Sequence, residues 1–419
     1  MRNLNINLGT ELRNNNHRIM LFDLARGGHH PSYIKHIVNY WCDEKLPFNL
    51  DIVVSPKFIN EHSDVVKIPI DRNQLQIRFT PITREEYAGL INTSYLLQKI
   101  FLEWELYCKY AKDLNIDHCL LMYLDTLQLP IAFGKKSPCS FSGIYFRPTF
   151  HYSGFENYVF SWHDYFRQWR QKLLIELVLR KPQFKNLFSL DPFVVKHLER
   201  FKMQAQILHL PDPVECHKLD VSKLVTLRKD LNIDSNRKIF LLFGSLHARK
   251  GLHKVLAAIR LLPVNICENI CLLVVGKIPS EESKNTNNQI KDISLNLPIQ
   301  IIMRNTFVPD IDVHTYFHLS DIVLAPYQKH VGMSGILLLA AAAKKPVLAS
   351  NYGLMGQLVR KKKLGIAVDS SSSQAIATAM INLISNDQIQ EKFFDVKSID
   401  EFVEENIFTK FSSTLFANM

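Results

Sequence analysis

A chain of 419 residues is longer than one hydrophobic core ordinarily supports, so two domains of about 200 residues each are expected. With 47% apolar residues the chain is globular, and no run reaches the ~18 uninterrupted apolar residues of a membrane span. The net charge of +10 calls for an anionic partner, and nothing resembles a nucleic-acid motif, which leaves a phosphorylated small molecule or an anionic membrane surface. The polar start, MRNLNINLGTELRNNNHR, lacks the apolar centre of a signal peptide and predicts a cytoplasmic protein. The seven cysteines are odd in number and form no CxxC pair, so neither a disulfide framework nor a zinc site is expected; Cys267 and Cys271 read as core filler.

In chain order, residues 1–16 are Asn-rich and predicted loose. HRIMLFDLA (17–25) is the first strand, followed by a glycine turn and a helix from Pro31 to about Cys42. LDIVVS (50–55) is a strand and residues 94–114 a long amphipathic helix. DHCLLMYLD (117–125) and SFSGIYF (140–146) are strands on either side of a short helix, and 162–180 is helical. NLFSLDP opens a further strand-to-helix unit, and QAQILHLPDPV (204–214) closes this half. The alternation restarts at KIFLLFG (238–244), with later strands in 269–277, 293–308, 321–327 and 346–350, helices between them, and a last helix at 372–385.

Strands alternating with helices predict an α/β protein made of two doubly wound, Rossmann-like domains facing a cleft. The expected boundaries are 1–215 for an N-terminal domain and 216–390 for a C-terminal domain, joined near PDPVECHK (211–218). A tail, 391–419, is expected to pack back on the N-terminal domain. In such sheets ligands sit beyond the carboxyl ends of the strands, so the strand-to-helix turns carry the chemistry.

Four turns stand out. In FDLARGGHHPSY, Gly27 and Gly28 allow a sharp turn and close ligand approach, and His29 and His30 offer contacts or proton carriers, against the alternative of a flexible turn with two solvated histidines. This is not a GxGxxG fingerprint, so no nicotinamide or flavin cofactor is expected. Arg147 follows a buried strand, with His151 close behind; Arg147 meets either an anion or a structural carboxylate. GSLHARKG places His247, Arg249 and Lys250 at the open end of a buried strand, where the two cations can meet a diphosphate. Finally QKHVGMSG, His330 to Gly335 within it, leads into a helix whose free N–H groups form an anion site, Gly332 and Ser334 allowing close approach; the run Ala340 to Ala343 is packing. Asp310 and Asp312 could hold a metal but read better as caps of the following helix, so no metal is expected. Residues 165–185 interleave Arg and Lys with Trp and Leu, fitting either an anionic membrane or a solvated basic face.

The order and content of LFGSLHARKGLHKVLAAIRLL, LLVVGK, DVHTYFHLSDIVLAPYQ and GILLLAAAAKKPVLASNYGLMGQLV resemble the group 1 (family four) glycosyltransferases of GT-B fold over roughly 238–385. The resemblance implies a retaining, metal-independent transferase without a cofactor, moving a sugar from a UDP- or GDP-linked donor to an acceptor hydroxyl in polysaccharide or glycolipid synthesis, with a sugar or lipid-linked acceptor and a peripheral place at the inner membrane face left open. Carried over, Lys250 matches the family's phosphate-binding lysine, and Ser334 and Gly335 fall in the loop whose amides meet donor phosphates, flanked by Gly332 and Met333. The donor side is then Gly244, Ser245, His330, Gly332, Met333, Ser334 and Gly335, with Lys250, Arg249, Arg147 and His151 as the catalytic set. Two family glutamates eight apart are replaced by Val331 and Leu339, and the family's second basic residue by Ser245, for which Arg249 is the substitute. A non-catalytic GT-B scaffold and a sugar-nucleotide epimerase are the rival readings.

Overall fold

The computed structural model describes residues 17–155, 162–199, 203–217, 219–385 and 392–419. The loose segment expected at 1–16 lies outside them. The chain divides into two units, the first from Met1–His151, Phe160–Pro213 and Phe408–Met419, the second from Tyr152–Val159 and Val214–Ile407.

The first unit holds a parallel sheet of seven strands: β1 (Arg18–Asp23), β2 (Asn49–Val54), β3 (Ile77–Pro81), β4 (His118–Leu121), β5 (Ser140–Tyr145), β6 (Phe184–Ser189) and β7 (Gln206–His209). Their order in space is β3-β2-β1-β4-β5-β6-β7. The second unit repeats the plan with six: β8 (Lys238–Phe243), β9 (Ile270–Val275), β10 (Gln300–Arg304), β11 (Ile322–Ala325), β12 (Val347–Ser350) and β13 (Gly365–Val368), in the order β10-β9-β8-β11-β12-β13. The order reverses between β1 and β4 and between β8 and β11, and it is beside such a reversal that an open α/β sheet leaves room for a ligand.

The unbroken apolar runs follow from this layering. Side chains alternate faces along a strand, and helices cover both faces, so both sets must be apolar. In β1, Met20 and Phe22 enter one core while Ile19 and Leu21 enter the other. The second unit does the same at β8, where Phe240 and Leu242 join the core under helix Leu252–Ile259.

The C-terminal residues divide. Helix Val396–Glu405 packs on helix Gly335–Ala342 within the second unit. From Phe408 onward the chain belongs to the first unit, where Phe411 and Phe416 lie against Tyr33 and Trp41 at 4.9 and 5.0 Å between ring centroids.

Three expectations need correction. Asp310 and Asp312 do not cap: the residue before helix Asp310–Leu319 is Pro309, and the acids sit in the first helical turn, where they act on the positive end of the helix dipole. Strands β3 and β13 went unread; β3 is an edge strand with a half-exposed pattern, and β13 keeps only its first residue fully buried. Helix Arg84–Asn92 also went unread, although Thr83 and Glu86 form a reciprocal capping box at its start.

Candidate active site

In the second unit, β8 is followed by Gly244, which has φ +113°, and the chain turns through Ser245 and His247 into a single 3-10 turn, Ala248–Lys250. Gly251 closes it in the left-handed region at φ 78°, and a Cβ there would overlap the Pro326 carbonyl oxygen. This fold-back returns Lys250 over the strand end. A Cβ on Gly244 would lie 3.3 Å from Lys250 Nζ, so the glycine leaves the space the ammonium uses.

Lys250 donates a hydrogen bond to the Tyr327 hydroxyl and sits 4.1 Å from the centroid of that ring. Ser334 Oγ donates to the same hydroxyl at 3.3 Å. Tyr327 is itself buried, and its carbonyl accepts from Ser370 Oγ at 2.9 Å. The tyrosine thus fastens the cation turn after β8 to the glycine loop after β11. Arg249 supplies a second link: it donates to His330 Nδ1 at 2.6 Å, which leaves Nε2–H of His330 to donate to the Met333 carbonyl at 3.1 Å. Its own carbonyl receives Gln328 N at 2.8 Å. Among the described residues no carboxylate lies within ion-pair distance of Lys250 or Arg249, so both charges are held by neutral groups. That is how an anion site is built when the anion arrives with the ligand.

Helix Gly335–Ala342 starts beside this pair, with Ser334 at its N-cap and no side chain satisfying its first amides. A Cβ on Gly335 would meet nothing within 4 Å, so protein packing does not require a glycine there. The space in front of the helix N-terminus is open. Gly332 and Met333 lie in the loop that leads to it, and Ser245 is exposed on the β8 side. Val331 and Leu339 are half-buried, Val331 accepting the Leu354 amide through its carbonyl.

The first unit places a different chemistry at its own reversal. Asp23 ends β1, buried, and accepts His30 Nδ1–H at 2.6 Å and the Ala25 amide at 3.0 Å. His30 keeps Nε2 as an acceptor in that tautomer. Gly28, at φ +68°, makes the turn that brings the histidine back, while Gly27 meets nothing within 4 Å. His29 and His30 stack at 4.5 Å, and His29, though exposed, lies 4.4 Å from Phe146, while His30 is partly buried. Although one edge of His29 stays open to solvent, surrounding protein, then His30 and Arg147, push its pKa down to about 3.

Arg147 donates to the Tyr123 hydroxyl and lies 3.7 Å from Asp125. Asp125 also accepts the Phe146 and Arg147 amides at 2.8 and 2.9 Å, yet burial lifts its pKa to about 6. Arg147 therefore joins the cluster around β1 and β4. His151 lies elsewhere in the unit, 4% exposed, 3.0 Å from Asp191 and against Phe150 and His197. Asp191 caps helix Pro192–Leu198, so this pair anchors the loop to a helix start.

Sequence reasoning missed Tyr327, Asp23, Asp125 and Glu103. A polar residue ending an apolar strand is the signal that marks the first two. Glu103, on helix Leu96–Asp113, has its pKa raised to about 7, chiefly by burial and then by Asp23, with Lys99 and His30 opposing. A carboxyl that titrates near 4.5 unfolded and near 7 folded holds its proton longer in the folded state, so stability is lost as pH rises through that window. Glu103→Gln should therefore stabilise the protein at pH 8 by on the order of 1–2 kcal/mol and change little at pH 5. Calorimetry at the two pH values checks this; equal unfolding midpoints for the two proteins at pH 8 would exclude it.

Residues 225–395 match the glycosyl transferases group 1 family. Over this segment the chain is similar to the group 1 glycosyltransferases. A lipopolysaccharide 1,2-N-acetylglucosaminetransferase of Salmonella typhimurium is 29% identical over 136 residues, 32% of this chain and 35% of that one. An uncharacterized glycosyltransferase of Methanocaldococcus jannaschii is 26% identical over 228 residues, 53% of this chain and 56% of that one. The chain thus spans from about a third to just over half the length of these curated relatives. Among solved structures, a glycosyltransferase from Rickettsia africae superposes with a TM-score of 0.64 at 16% identity, covering 96% of this chain and 97% of that one. HepE of Anabaena, solved in complex with UDP, gives 0.64 at 12% identity over 95% and 98%. At these identities the likeness establishes the GT-B fold. The group 1 segment carries the cation turn, the Tyr327 link and the glycine loop; the Asp23–His30 cluster lies outside it. Among the described residues no three His, Cys, Asp or Glu side chains are grouped to hold a metal ion, and no helix is long and apolar enough to cross a membrane.

Proposed function

We propose that the protein is a glycosyltransferase that takes a sugar from a UDP-linked donor and passes it to an acceptor hydroxyl. The observation that carries this reading is the joining of Lys250, Tyr327 and Ser334 in front of the free amides of helix Gly335–Ala342. The donor's diphosphate lies against Lys250 and Arg249 on one side and the Ser334–Gly335 amides on the other. As the bond between the anomeric carbon and the diphosphate oxygen breaks, its electrons remain on that oxygen. The two cations and the helix dipole stabilise the developing charge without requiring a metal or a further cofactor. Retention is what the family resemblance implies. UDP is favoured over GDP because a GT-B neighbour was solved with it, and a sugar or lipid-linked acceptor because one relative is a lipopolysaccharide transferase.

In the first unit, Asp23 fixes the tautomer of His30 so that Nε2 can accept a hydrogen bond from the acceptor hydroxyl, with Arg147 and the Gly27–Gly28 turn shaping its surroundings. Orientation of this kind is lost when the ring is removed. His30→Ala is expected to lower transfer by about 100-fold while leaving nucleotide affinity unchanged. Paired turnover and binding measurements check this, and a parallel loss of UDP affinity would contradict it.

The replacement of the two family glutamates by Val331 and Leu339 favours a second reading, a GT-B protein that binds a nucleotide without transferring a sugar. A panel of nucleotide sugars assayed for nucleotide release, with and without acceptor glycans, separates the two. Acceptor-dependent release supports transfer; binding with no release supports the second reading; release with no acceptor, accompanied by an altered free sugar, points to epimerisation.

A further inference from the structure

Helix Trp162–Leu179 carries a feature the transferase reading does not use. Trp162, Tyr165, Phe166, Trp169 and Leu173 are 74, 65, 60, 54 and 42% exposed. At positions i, i+3, i+4, i+7 and i+11 they form one stripe along a helix. The opposite side of the helix, with Gln168, Ile175, Val178 and Leu179, is the one buried against the sheet. Large aromatic side chains left in water along three helical turns are costly unless something covers them.

The surroundings specify what covers them. Between residues 162 and 181 five basic side chains, Arg167, Arg170, Lys172, Arg180 and Lys181, stand against two acidic ones, Asp164 and Glu176. On a helical projection Arg170 and Lys172 fall on opposite flanks of the stripe and Arg180 continues its line. A second apolar group lies at the same edge of the unit: Tyr95, Leu96 and Leu97, 77, 69 and 62% exposed, open helix Leu96–Asp113. Both helices pack on the same sheet face and both return antiparallel to parallel strands, so both begin at the carboxyl edge of the sheet. Indole and phenol rings flanked by Arg and Lys suit the interface of a bilayer with anionic headgroups, where the rings enter the headgroup region and the cations meet phosphate. Self-association through this stripe would instead bring Arg170, Lys172 and Arg180 of two copies together.

We infer that the exposed face of helix Trp162–Leu179 docks the protein on an anionic lipid surface. The inference stands independently of the reading of the donor site, since none of its residues belongs to that site. The chain supplies its own reporter. Of its four tryptophans, Trp41 and Trp104 are buried and Trp162 and Trp169 lie on the stripe, so an environment-driven change in emission reads this face.

The test uses the full chain and vesicles of phosphatidylcholine alone or mixed three to one with phosphatidylglycerol. Flotation with the anionic vesicles only, a blue-shifted emission on binding, and release by added salt are expected. Trp162→Ser/Trp169→Ser and Arg170→Glu/Lys172→Glu should each reduce vesicle-bound protein at least tenfold, with unchanged unfolding midpoints and unchanged UDP affinity. Failure of the wild type to float with anionic vesicles would overturn the inference, as would undiminished binding by both variants. Dimerisation of the wild type that the same variants abolish would overturn it in favour of a second copy.

Discussion

Lys250→Ala should lower transfer turnover by about 100- to 1000-fold, the loss seen when one preorganised donor to a developing anion is removed. The size of the effect follows from how the ammonium is held. The Gly251 fold-back returns it over the end of β8, the tyrosine hydroxyl beneath it is a neutral anchor, and no carboxylate among the described residues competes for it. Its charge is therefore free to act on whatever anion arrives. Because the side chain makes a single neutral hydrogen bond, its removal should change the unfolding midpoint little, which separates a catalytic loss from a folding loss. Lys250→Arg is not expected to rescue fully, since a planar fork cannot occupy the space Gly244 leaves for a compact ammonium. Steady-state kinetics and calorimetry on the two variants check both statements; turnover within threefold of wild type for Lys250→Ala would remove this residue from the donor site.

Gly251→Ala should destabilise the protein by about 3 kcal/mol or more. Two separate costs combine. An alanine at φ 78° carries a left-handed backbone penalty of about 1 kcal/mol, and its Cβ would overlap the Pro326 carbonyl, which is rigid backbone at the end of β11. Gly28 provides the control. It has a similar φ of +68° but meets nothing within 4 Å, so Gly28→Ala bears the backbone penalty alone, about 1 kcal/mol. The expected ranking is a fall in unfolding midpoint of about 5–10 °C for Gly251→Ala and a much smaller one for Gly28→Ala. Moving the Gly251 turn also moves Lys250 and Arg249, so weakened nucleotide binding should accompany the instability. Equal midpoints for the two variants would mean that the turn after β8 is not held against β11 as described.

The fold was legible because parallel strands covered on both faces have no polar face. Runs such as Ile239–Phe243 and Cys271–Val275 can be little else, and their order along the chain carries the topology. The strands that escaped, β3 and β13, are edge strands whose partial exposure dilutes the apolar signal, and β3 ends in a proline that an interior strand would not tolerate. At the candidate site the position of the cations was legible for a local reason: Arg249 and Lys250 follow a buried strand within a few residues and must leave it. The glycines of the loop before helix Gly335–Ala342 were legible in the same way. What holds these pieces together was not. Tyr327 reads as the last residue of a strand, and only the fold brings its hydroxyl to a lysine 77 positions earlier. Asp23 and His30 are close in sequence but could equally have been a strand end and a solvated loop. Asp125 and Glu103 matter only through burial, which composition does not reveal. The two histidines expected to act alike differ for the same reason, His30 paired with Asp23 and His29 pressed among rings and a guanidinium.

The central claim is that the second unit holds the diphosphate of a nucleotide through Lys250, Arg249 and the amides before helix Gly335–Ala342. Isothermal titration of UDP into the wild-type protein and into Lys250→Ala tests it most directly. The account predicts saturable one-to-one binding to the wild type and at least tenfold weaker binding to the variant, with uridine alone binding far more weakly than UDP to the wild type. Equal UDP affinity in both proteins, or no heat of binding with any nucleoside diphosphate, would contradict it.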